Sequence, residues 1–235
     1  MYVSFCSNYG NANDYMYNKE HILENGQQIR IILLCKYTSN EKLYTCTKQL
    51  PHNLVHKLNH LLIRNPLILL LTSSIVRREL NSAIRDIDIE AYHIIKNCHE
   101  HSFEVINDDT AVSFSCCVVL SKILTICHSK GFEWKLYNNY TVLNKSKDNS
   151  YLIGDFKHKV SEVNGIYFIN SIVIPEPISL NIAENTILVI HSEELDTLDD
   201  IINDIIINSI DSPFFVSKQI VKTTTKFVMF LYVKF

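Results

Sequence analysis

Two adjacent arginines form the strongest chemical signal in this sequence of 235 residues. Arg77 and Arg78 come shortly after a run of five apolar residues at positions 67–71. The turn between this apolar run and the arginines contains the hydroxyl groups of Ser73 and Ser74. Loops at the carboxyl ends of parallel strands carry the chemistry of such sheets, so the pattern predicts that these residues lie at the working edge of the domain. Solvation of a helix start is the alternative, although cations near a helix N-terminus oppose the helix dipole.

Cys6 is the thiol that the predicted chain order places beside the same edge. A cysteine is nucleophilic as its thiolate, and nearby cations stabilise that form by lowering the pKa of the thiol. The alternative, which we prefer for Cys6, is a small buried apolar side chain. Cys116 and Cys117 lie in an apolar stretch and are interpreted as packing residues.

Metal and cofactor motifs are weak in this sequence. Cys98, His99 and His101 are close together, and His93 precedes them by about one helical turn. Zinc needs four convergent ligands, and a polar helix end explains these residues as well. The sequence has no GxGxxG motif and no Walker loop. We therefore expect neither a metal nor a cofactor.

The elements expected to position Arg77 and Arg78 form a strand–helix–strand unit. Residues 67–71 are apolar throughout, which is typical of a strand buried on both faces. From Leu80 onward, apolar residues recur at spacings of three and four, which predicts an amphipathic helix. Residues 103–106 form the next predicted strand. Such a βαβ unit implies a parallel sheet, whose chemistry collects at the carboxyl ends of its strands.

The rest of the amino-terminal half continues this alternation. Residues 38–49 are interpreted as a polar loop, and Gly131 ends the last predicted helix. The remaining predicted elements are strand 2–6, helix 15–24, strand 29–37, helix 50–63 and a buried helix at 112–127. Together they predict a four-stranded parallel α/β domain over residues 1–131.

The carboxyl-terminal half, residues 132–235, has a different pattern and is predicted to be an α+β domain. Its predicted helix covers residues 193–209 and has an acidic first turn, which suits the helix dipole. The predicted strands are 132–143, 151–156, 165–174, 186–190, 214–220 and 227–235. Because the acidic helix would repel phosphate groups, this half is interpreted as a protein-interaction module.

Composition excludes some classes of partner. The hydrophobic content of 47% supports a packed core, and the net charge of −3 gives no general attraction to nucleic acids or anionic membranes. The seven cysteines form no CxxC pair, which favours a reducing compartment. No apolar run approaches the roughly 18 residues that span a bilayer. We expect an intracellular protein without a membrane partner.

The segment around the arginines carries a resemblance to a known family. Residues 72–109, TSSIVRRELNSAIRDIDIEAYHIIKNCHEHSFEVINDD, resemble the core of the serine recombinase (resolvase/invertase) catalytic domain. The opening residues 2–7, YVSFCS, resemble the part of that family that holds its nucleophilic serine. Length, composition and the separate second half resemble the poxvirus branch of this superfamily, which implies a viral protein.

The resemblance implies site positions at which this sequence departs from the family. Those positions are Ser4, Cys6, Ser7, Ser74, Ile75, Arg77 and Arg78. Cys6 stands where the family has its nucleophilic serine, and only Arg78 keeps an arginine in its place. Losing one group that stabilises transition-state charge commonly costs about 10²–10³-fold in rate. We therefore expect these positions to be vestigial and the chain to have no catalytic residues.

The sequence thus predicts a non-enzymatic viral protein on a degenerate recombinase scaffold, a pseudoenzyme that acts through protein partners. Its expected location is the nucleus, the nucleolus or the cytoplasm of an infected host cell. The alternative is an active DNA nuclease or recombinase that uses Cys6 or Ser7 with the two arginines. A third hypothesis is non-specific nucleic-acid binding by the basic residues 145–159, although DNA binding is expected to be weak or absent. The sequence leaves open whether the chain forms a homodimer.

Overall fold

The chain divides into two compact units. The computed structural model describes residues 1–7, 15–36, 38–98, 111–138, 141–155, 160–163, 166–169, 174–192 and 229–235. The central unit consists of Tyr15–Ser129 and Asn149–Leu180, and the terminal unit consists of Met1–Asp14, Lys130–Asp148 and Asn181–Phe235. Each unit contains one five-stranded sheet.

Strands outnumber helices in the part of the chain that the structure describes. The strands are β1 (Tyr2–Ser7), β2 (Tyr15–Ile22), β3 (Gln28–Cys35), β4 (Phe114–Leu120), β5 (Ile123–His128), β6 (Phe132–Asn138), β7 (Thr141–Lys145), β8 (Val160–Val163), β9 (Ile166–Ile169), β10 (Ile178–Asn181), β11 (Thr186–Ser192) and β12 (Met229–Lys234). The helices are α1 (Glu41–Thr47), α2 (Leu50–Arg64) and α3 (Ser73–Cys98). None of these helices is long and apolar enough to cross a membrane.

The sheet of the central unit has the strand order β10-β5-β4-β3-β2. β2 with β3, β3 with β4, and β4 with β5 are antiparallel pairs. Gly26 makes the turn between β2 and β3 with a φ of 80°, a left-handed conformation that glycine adopts without steric cost. β3, β4 and β5 are buried along almost their whole length, which explains their continuous apolar sequences.

The three helices share one hydrophobic core with one face of this sheet. Side chains alternate between the faces of a strand, and the alternate residues Ile31 and Leu33 of β3 belong to that core. α2 contributes Leu54, Leu58 and Leu62, which lie on one helix face because they are four residues apart. The apolar positions of α3 pack into the same core, so its amphipathic pattern is explained.

The sheet of the terminal unit has the strand order β1-β12-β11-β6-β7. β11 is its central strand, pairs antiparallel with β12 and β6, and is buried at every residue. β6 contributes the fully buried rings of Phe132 and Trp134. β7 is exposed at every residue, which is the pattern of an edge strand that continues a hairpin from β6.

The predicted fold class, a four-stranded parallel sheet followed by an α+β half, is wrong. The pairs within residues 1–131 are antiparallel, and β1 pairs with β12 from the other end of the chain. The prediction depended on placing helices between successive strands, which would make the strands parallel. β2 and β3 are instead joined by a short turn, and so are β4 and β5, which only antiparallel neighbours permit.

Two of the predicted helices are strands. Residues 112–127, predicted to be a buried helix, form β4 and β5 around a turn in which Ser121 has a φ of 54°. A short apolar stretch suits a doubly buried strand as well as a buried helix, so periodicity could not decide between them. Residues 15–24, also predicted to be helical, form β2 and the turn that follows it.

A different error concerns residues 67–71, which were predicted to be a buried strand but form a loop between α2 and α3. Residues 38–49, predicted to be a loop, contain α1, whose start is capped by the Asn40 side chain accepting from the Leu43 N–H. Of the strand predicted at 151–156, the described residues 151–155 form a single bridge, between Ile153 and Val112. The predictions of β1, β3, α2, β11 and β12 are confirmed within a few residues. The helix predicted from Leu80 is confirmed as α3, but it begins seven residues earlier, at Ser73. The strand predicted at 132–143 corresponds to β6 and the start of β7. The predicted elements at 103–106, 193–209 and 214–220 lie outside the described residues.

Candidate functional site

The arginine pair lies in the first two turns of α3, together with Ser74 and Ile75. The Arg77 guanidinium pairs with the carboxylate of Glu176, and Arg78 Nη2 lies 2.8 Å from Glu79 Oε1. Both ion pairs are partly or largely exposed. Since each guanidinium already faces a carboxylate at the surface, the pair does not form the phosphate-binding site that the resemblance to serine recombinases implies.

The other positions implied by the resemblance lie on β1, in the terminal unit. Ser4 is paired in register with Tyr232, Cys6 with Phe230, and Ser7 with Met229. That antiparallel neighbour is β12, whereas the resemblance implies a parallel neighbour that leads into α3. His93 is exposed on α3 and Cys98 ends that helix, while His99 and His101 lie outside the described residues.

A set of polar residues gathers at one end of the central sheet, on the face opposite the helices. We call Lys36, Ser113, Ser115 and His128 the strand-end cluster. Cys35 belongs to the core on the helix side, so the next residue, Lys36, faces the other way. The Lys36 N–H donates to the Ser113 carbonyl at 3.0 Å, which places these two residues side by side across β3 and β4.

The register of β4 and β5 completes this cluster. Cys116 and Cys127 are directly opposite each other and both belong to the helix-side core. Ser115 and His128 are the next opposite pair, so both side chains lie on the other face. The strand-end cluster therefore collects one ammonium, one imidazole and two hydroxyl groups from three neighbouring strands.

Hydrogen bonds fix the backbone around the cluster. The Ser129 hydroxyl accepts from the Phe114 N–H at 2.7 Å and lies 3.2 Å from the Phe114 carbonyl, which extends the pairing beyond β5. The Asn149 amide donates to the His128 carbonyl at 2.7 Å. Both contacts restrain the main chain on either side of the imidazole, so the position of His128 is set by the fold.

The cluster is largely shielded from solvent. His128 is 9% exposed and Ser115 is fully buried, whereas Lys36 and Ser113 are partly exposed. The Ser115 hydroxyl has no hydrogen-bond partner in the described part of the chain. A buried hydroxyl without a partner costs free energy, so a ligand that bonded to it would recover that cost. Ammonium, imidazole and hydroxyl groups together are donors suited to a phosphate oxyanion.

A second recess, the α1–α3 pocket, has different chemistry. Its volume is about 420 Å³, and it is lined by Glu41, Lys42, Thr45, Cys46, Gln49, Glu90 and Ile94. Burial raises the pKa of the Cys46 thiol far above its ordinary value, and the nearby Glu90 and Asp88 carboxylates raise it further. This thiol stays protonated and is not a nucleophile. With two carboxylates against one ammonium, the pocket suits a cationic group better than a phosphate.

Neither site was singled out from the sequence. The side chains of the strand-end cluster come from β3, β4 and β5 or from residues next to them. The sequence predicts one strand and one helix in these regions. A signal was nevertheless present, because His128, Ser129 and Lys130 form a polar group directly after an apolar run. Only the antiparallel register of β4 and β5 shows that this group faces Lys36 and Ser113.

The sequence matches no protein-family model and no curated protein. Several solved structures share its fold. The serine/threonine phosphatase of S. agalactiae has a TM-score of 0.62 at 9% identity, over 100% of this chain and 99% of that one. The catalytic domain of the serine/threonine protein phosphatase PstP, solved with two manganese ions, has 0.62 at 8% identity, over 98% and 96%. The PP2C phosphatase domain of SpoIIE from Bacillus subtilis has 0.55 at 10% identity, over 100% and 64%.

These likenesses correct the interpretation drawn from the arginine segment. The chain has the fold of PP2C-type serine/threonine phosphatases, so the resemblance to serine recombinases and to their poxvirus branch is not supported. The expected non-enzymatic recombinase scaffold and its nuclease or recombinase alternative are wrong for the same reason. The assignment as a pseudoenzyme also fails, because it depended on the absence of recombinase arginines.

The manganese ions of PstP raise the question of whether this chain fits a metal pair. Within the described ranges, no group of three or more histidine, cysteine, aspartate or glutamate side chains could hold a metal ion. The strand-end cluster offers an ammonium and no carboxylate, which repels a divalent cation instead of binding it. The described residues therefore do not fit such a metal centre.

Proposed function

We propose that this chain is a phosphatase that removes phosphate from phosphoserine and phosphothreonine side chains of proteins. The observation that carries the proposal is the fold, which matches serine/threonine phosphatases over the whole chain with TM-scores near 0.6. A fold can host unrelated functions, so the activity must also have a suitable site. The strand-end cluster is the described site whose charge and donors suit the substrate.

The chemistry of the strand-end cluster supports phosphate binding. A phosphorylated side chain carries a charge of about −1.5 to −2 at neutral pH and three strong acceptor oxygens. The Lys36 ammonium supplies a positive charge, and the Ser113 and Ser115 hydroxyls supply neutral donors. Donors held in place by strands stabilise the charge that develops on the phosphoryl oxygens without reorganising during the reaction.

His128 supplies the group that can move a proton. Imidazole exchanges protons near neutral pH, so His128 can take a proton from the attacking water or return one to the leaving serine oxygen. Its main chain is restrained on both sides, and restraint of this kind favours an orientation suited to proton transfer. In this proposal Lys36 binds the phosphate and His128 handles the proton.

The test is phosphate release from a phosphothreonine peptide and a phosphoserine peptide by the purified full chain. The assay is run with added Mn²⁺ and, separately, with a chelator. We expect steady release of inorganic phosphate in at least one condition, and loss of about 10²-fold in kcat/KM for Lys36→Met, the size typical of one charge-stabilising group. Lys122→Met is the matched control, because Lys122 is exposed in the turn at the opposite end of β4 and β5.

The possible outcomes distinguish the proposed activity from the proposed site. Equal release by the wild-type chain and Lys122→Met, with a strong loss in Lys36→Met, supports both the activity and its site. Release that Lys36→Met retains in full would contradict the assignment of the site. No release from either peptide in either condition, including the case in which a peptide binds without turnover, would contradict the phosphatase proposal itself.

A further inference from the structure

The loop between α2 and α3 exposes large apolar side chains in an unusual concentration. Leu67 is 95% exposed, Leu69 78% and Leu70 69%. Ile63, the next-to-last residue of α2, is 64% exposed. We call these four side chains the apolar loop. Contiguous apolar patches on soluble proteins rarely exceed a few hundred Å² and commonly mark an interaction site, so this loop calls for an occupant.

The loop is held rigidly in this exposed form. The Leu71 N–H donates to Gln27 Oε1 at 2.6 Å, and the Asn25 side-chain amide donates to the Leu69 carbonyl at 3.2 Å. Leu71 is buried and Ile68 packs against the core, so the loop is anchored by every apolar residue that points inward. The outward side chains are therefore presented by a fixed backbone and not by a frayed end.

A stripe of basic side chains leads to this loop along α2. His52, His56, His60 and Arg64 are each four residues apart, so they lie on one helix face, and all four are exposed. We call them the basic stripe. α2 contains no aspartate or glutamate. The rings of His56 and His60 are stacked with centroids 6.1 Å apart, so these two side chains run side by side along the helix.

We propose that the apolar loop and the basic stripe dock this protein on an anionic lipid bilayer. Side chains that are 64–95% exposed project from the surface, so they do not line a groove for a peptide. A fluid bilayer accepts projecting leucines, and each buried methylene contributes about 0.8 kcal/mol. The basic stripe complements anionic headgroups beside the inserted loop. The sequence predicts no membrane partner from its net charge of −3 and from the lack of an apolar run long enough to span a bilayer. Docking by a short exposed loop and a local basic stripe needs neither a spanning run nor an overall positive charge.

The charges around the stripe are mixed. Lys57 pairs with Asp86 of α3 at 2.7 Å. β2 contributes Lys19, Glu20 and His21, and the turn after it contributes Glu24. Arg64, at the end of the stripe next to the apolar loop, carries a permanent positive charge, and the three imidazoles add hydrogen-bonding groups for the phosphates of lipid headgroups.

The test is co-sedimentation of the full chain with vesicles of phosphatidylcholine, with and without phosphatidylserine. We expect binding to the anionic vesicles, several-fold stronger than to the neutral ones. The double variant Leu67→Ser/Leu70→Ser should lose binding by at least 10-fold, since it removes the inserted side chains. Arg64→Gln should weaken binding to the anionic vesicles alone, since it removes the permanent charge of the stripe.

Leu143→Ser is the matched control, because Leu143 is 55% exposed on β7, outside the loop, and its removal should leave binding unchanged. Melting temperatures of all variants show that none acts through unfolding. Two results would overturn the proposal. One is equal sedimentation of the wild type and the double variant. The other is loss of self-association in the double variant without vesicle binding by the wild type, which would identify the loop as a contact between two copies of the chain.

Discussion

The two ends of β3 differ in almost every physical property. At its carboxyl end the strand-end cluster is polar and largely buried, and hydrogen bonds restrain its main chain. At its amino end the turn at Gly26 is hydrogen-bonded to the apolar loop, which is exposed. The eight residues of β3 separate these ends by about 25 Å at the usual rise of a strand.

This difference shows that, in the central unit, the residues that determine stability and the residues that bind a partner surface lie at different ends of β3. A polar side chain inside the fold must be satisfied or cost free energy, so the strand-end cluster ties function to stability. An apolar side chain in solvent contributes nothing to folding, so the apolar loop can be changed without affecting the fold. Substitutions at the polar end should therefore alter both stability and activity, and those at the apolar end should alter membrane binding, with a smaller effect on stability and none on activity.

The largest predicted effect concerns a segment of β3 and β4 that we call dry because its thiols, those of Cys35, Cys116 and Cys117, are buried. Burial raises the pKa of the Cys116 thiol to about 12, and burial also raises the pKa of Cys35 and Cys117. The folded thiol then stays neutral while the unfolded thiol ionises, so stability is complete below about pH 9 and is lost between about pH 9 and pH 12. The raised pKa of Cys116 alone should lower the free energy of unfolding by about 2 kcal/mol at about pH 10.5.

Urea unfolding at about pH 8 and about pH 10.5 measures this loss. Cys116→Val replaces the thiol with an apolar group and should reduce the alkaline loss by the share of that one residue. Rapid alkylation of the folded chain by iodoacetamide at neutral pH, at any of these three positions, would show that the segment is not dry.

Ser129→Ala gives the next largest effect, at the polar end. The substitution leaves the buried Phe114 N–H without the hydroxyl that accepts from it at 2.7 Å. An unsatisfied buried donor costs about 1–3 kcal/mol, so the free energy of unfolding should fall by that amount. Chemical denaturation measures the change, and phosphate release should fall with it because His128 precedes this residue. An unchanged free energy of unfolding would mean that water or another group replaces the hydroxyl.

Gln27→Ala gives a smaller effect at the apolar end. The variant removes the side-chain oxygen that accepts from the Leu71 N–H, but this contact is only partly buried and water can replace it. We expect a loss of about 1 kcal/mol in the free energy of unfolding, with phosphate release unchanged. Vesicle binding should weaken because the loop becomes mobile and must be ordered on insertion. A loss as large as that of Ser129→Ala would remove the contrast between the two ends.

Parts of this fold could be predicted from the sequence, because some segments have a period that only one structure satisfies. α2 and α3 bury residues three and four apart, and that spacing excludes a strand. β3 was found because its branched apolar residues follow directly after a glycine turn. The same reasoning failed for residues 112–127, because a doubly buried strand and a buried helix have the same apolar composition.

The error at residues 67–71 has a different origin. Five apolar residues in a row predict burial, yet three of them face solvent. No rule based on hydrophobicity distinguishes an apolar loop that contacts a partner from a buried strand, since the free energy that compensates its exposure comes from outside the chain. The strand-end cluster was missed for a related reason, as it depends on register between strands far apart in sequence.

The recombinase resemblance shows how a short segment can mislead. The apolar spacing of α3 and its arginine pair are real, but Arg77 and Arg78 are engaged with Glu176 and Glu79. A helix with basic residues in its first turns occurs in many folds. The overall topology, which the segment does not determine, is that of the serine/threonine phosphatases.

The central claim is that phosphate is handled at the carboxyl end of β3 and not at its other end. Titration of the ¹⁵N-labelled full chain with inorganic phosphate, followed by ¹H–¹⁵N correlation spectra, tests this directly. We predict saturable shifts of the amide signals of Lys36, Ser113 and His128, with the signals of residues 67–70 unmoved and the Ser113 and His128 shifts lost in Ser115→Ala/Lys36→Met. Shifts confined to other residues, or no shift at any phosphate concentration, would contradict the account.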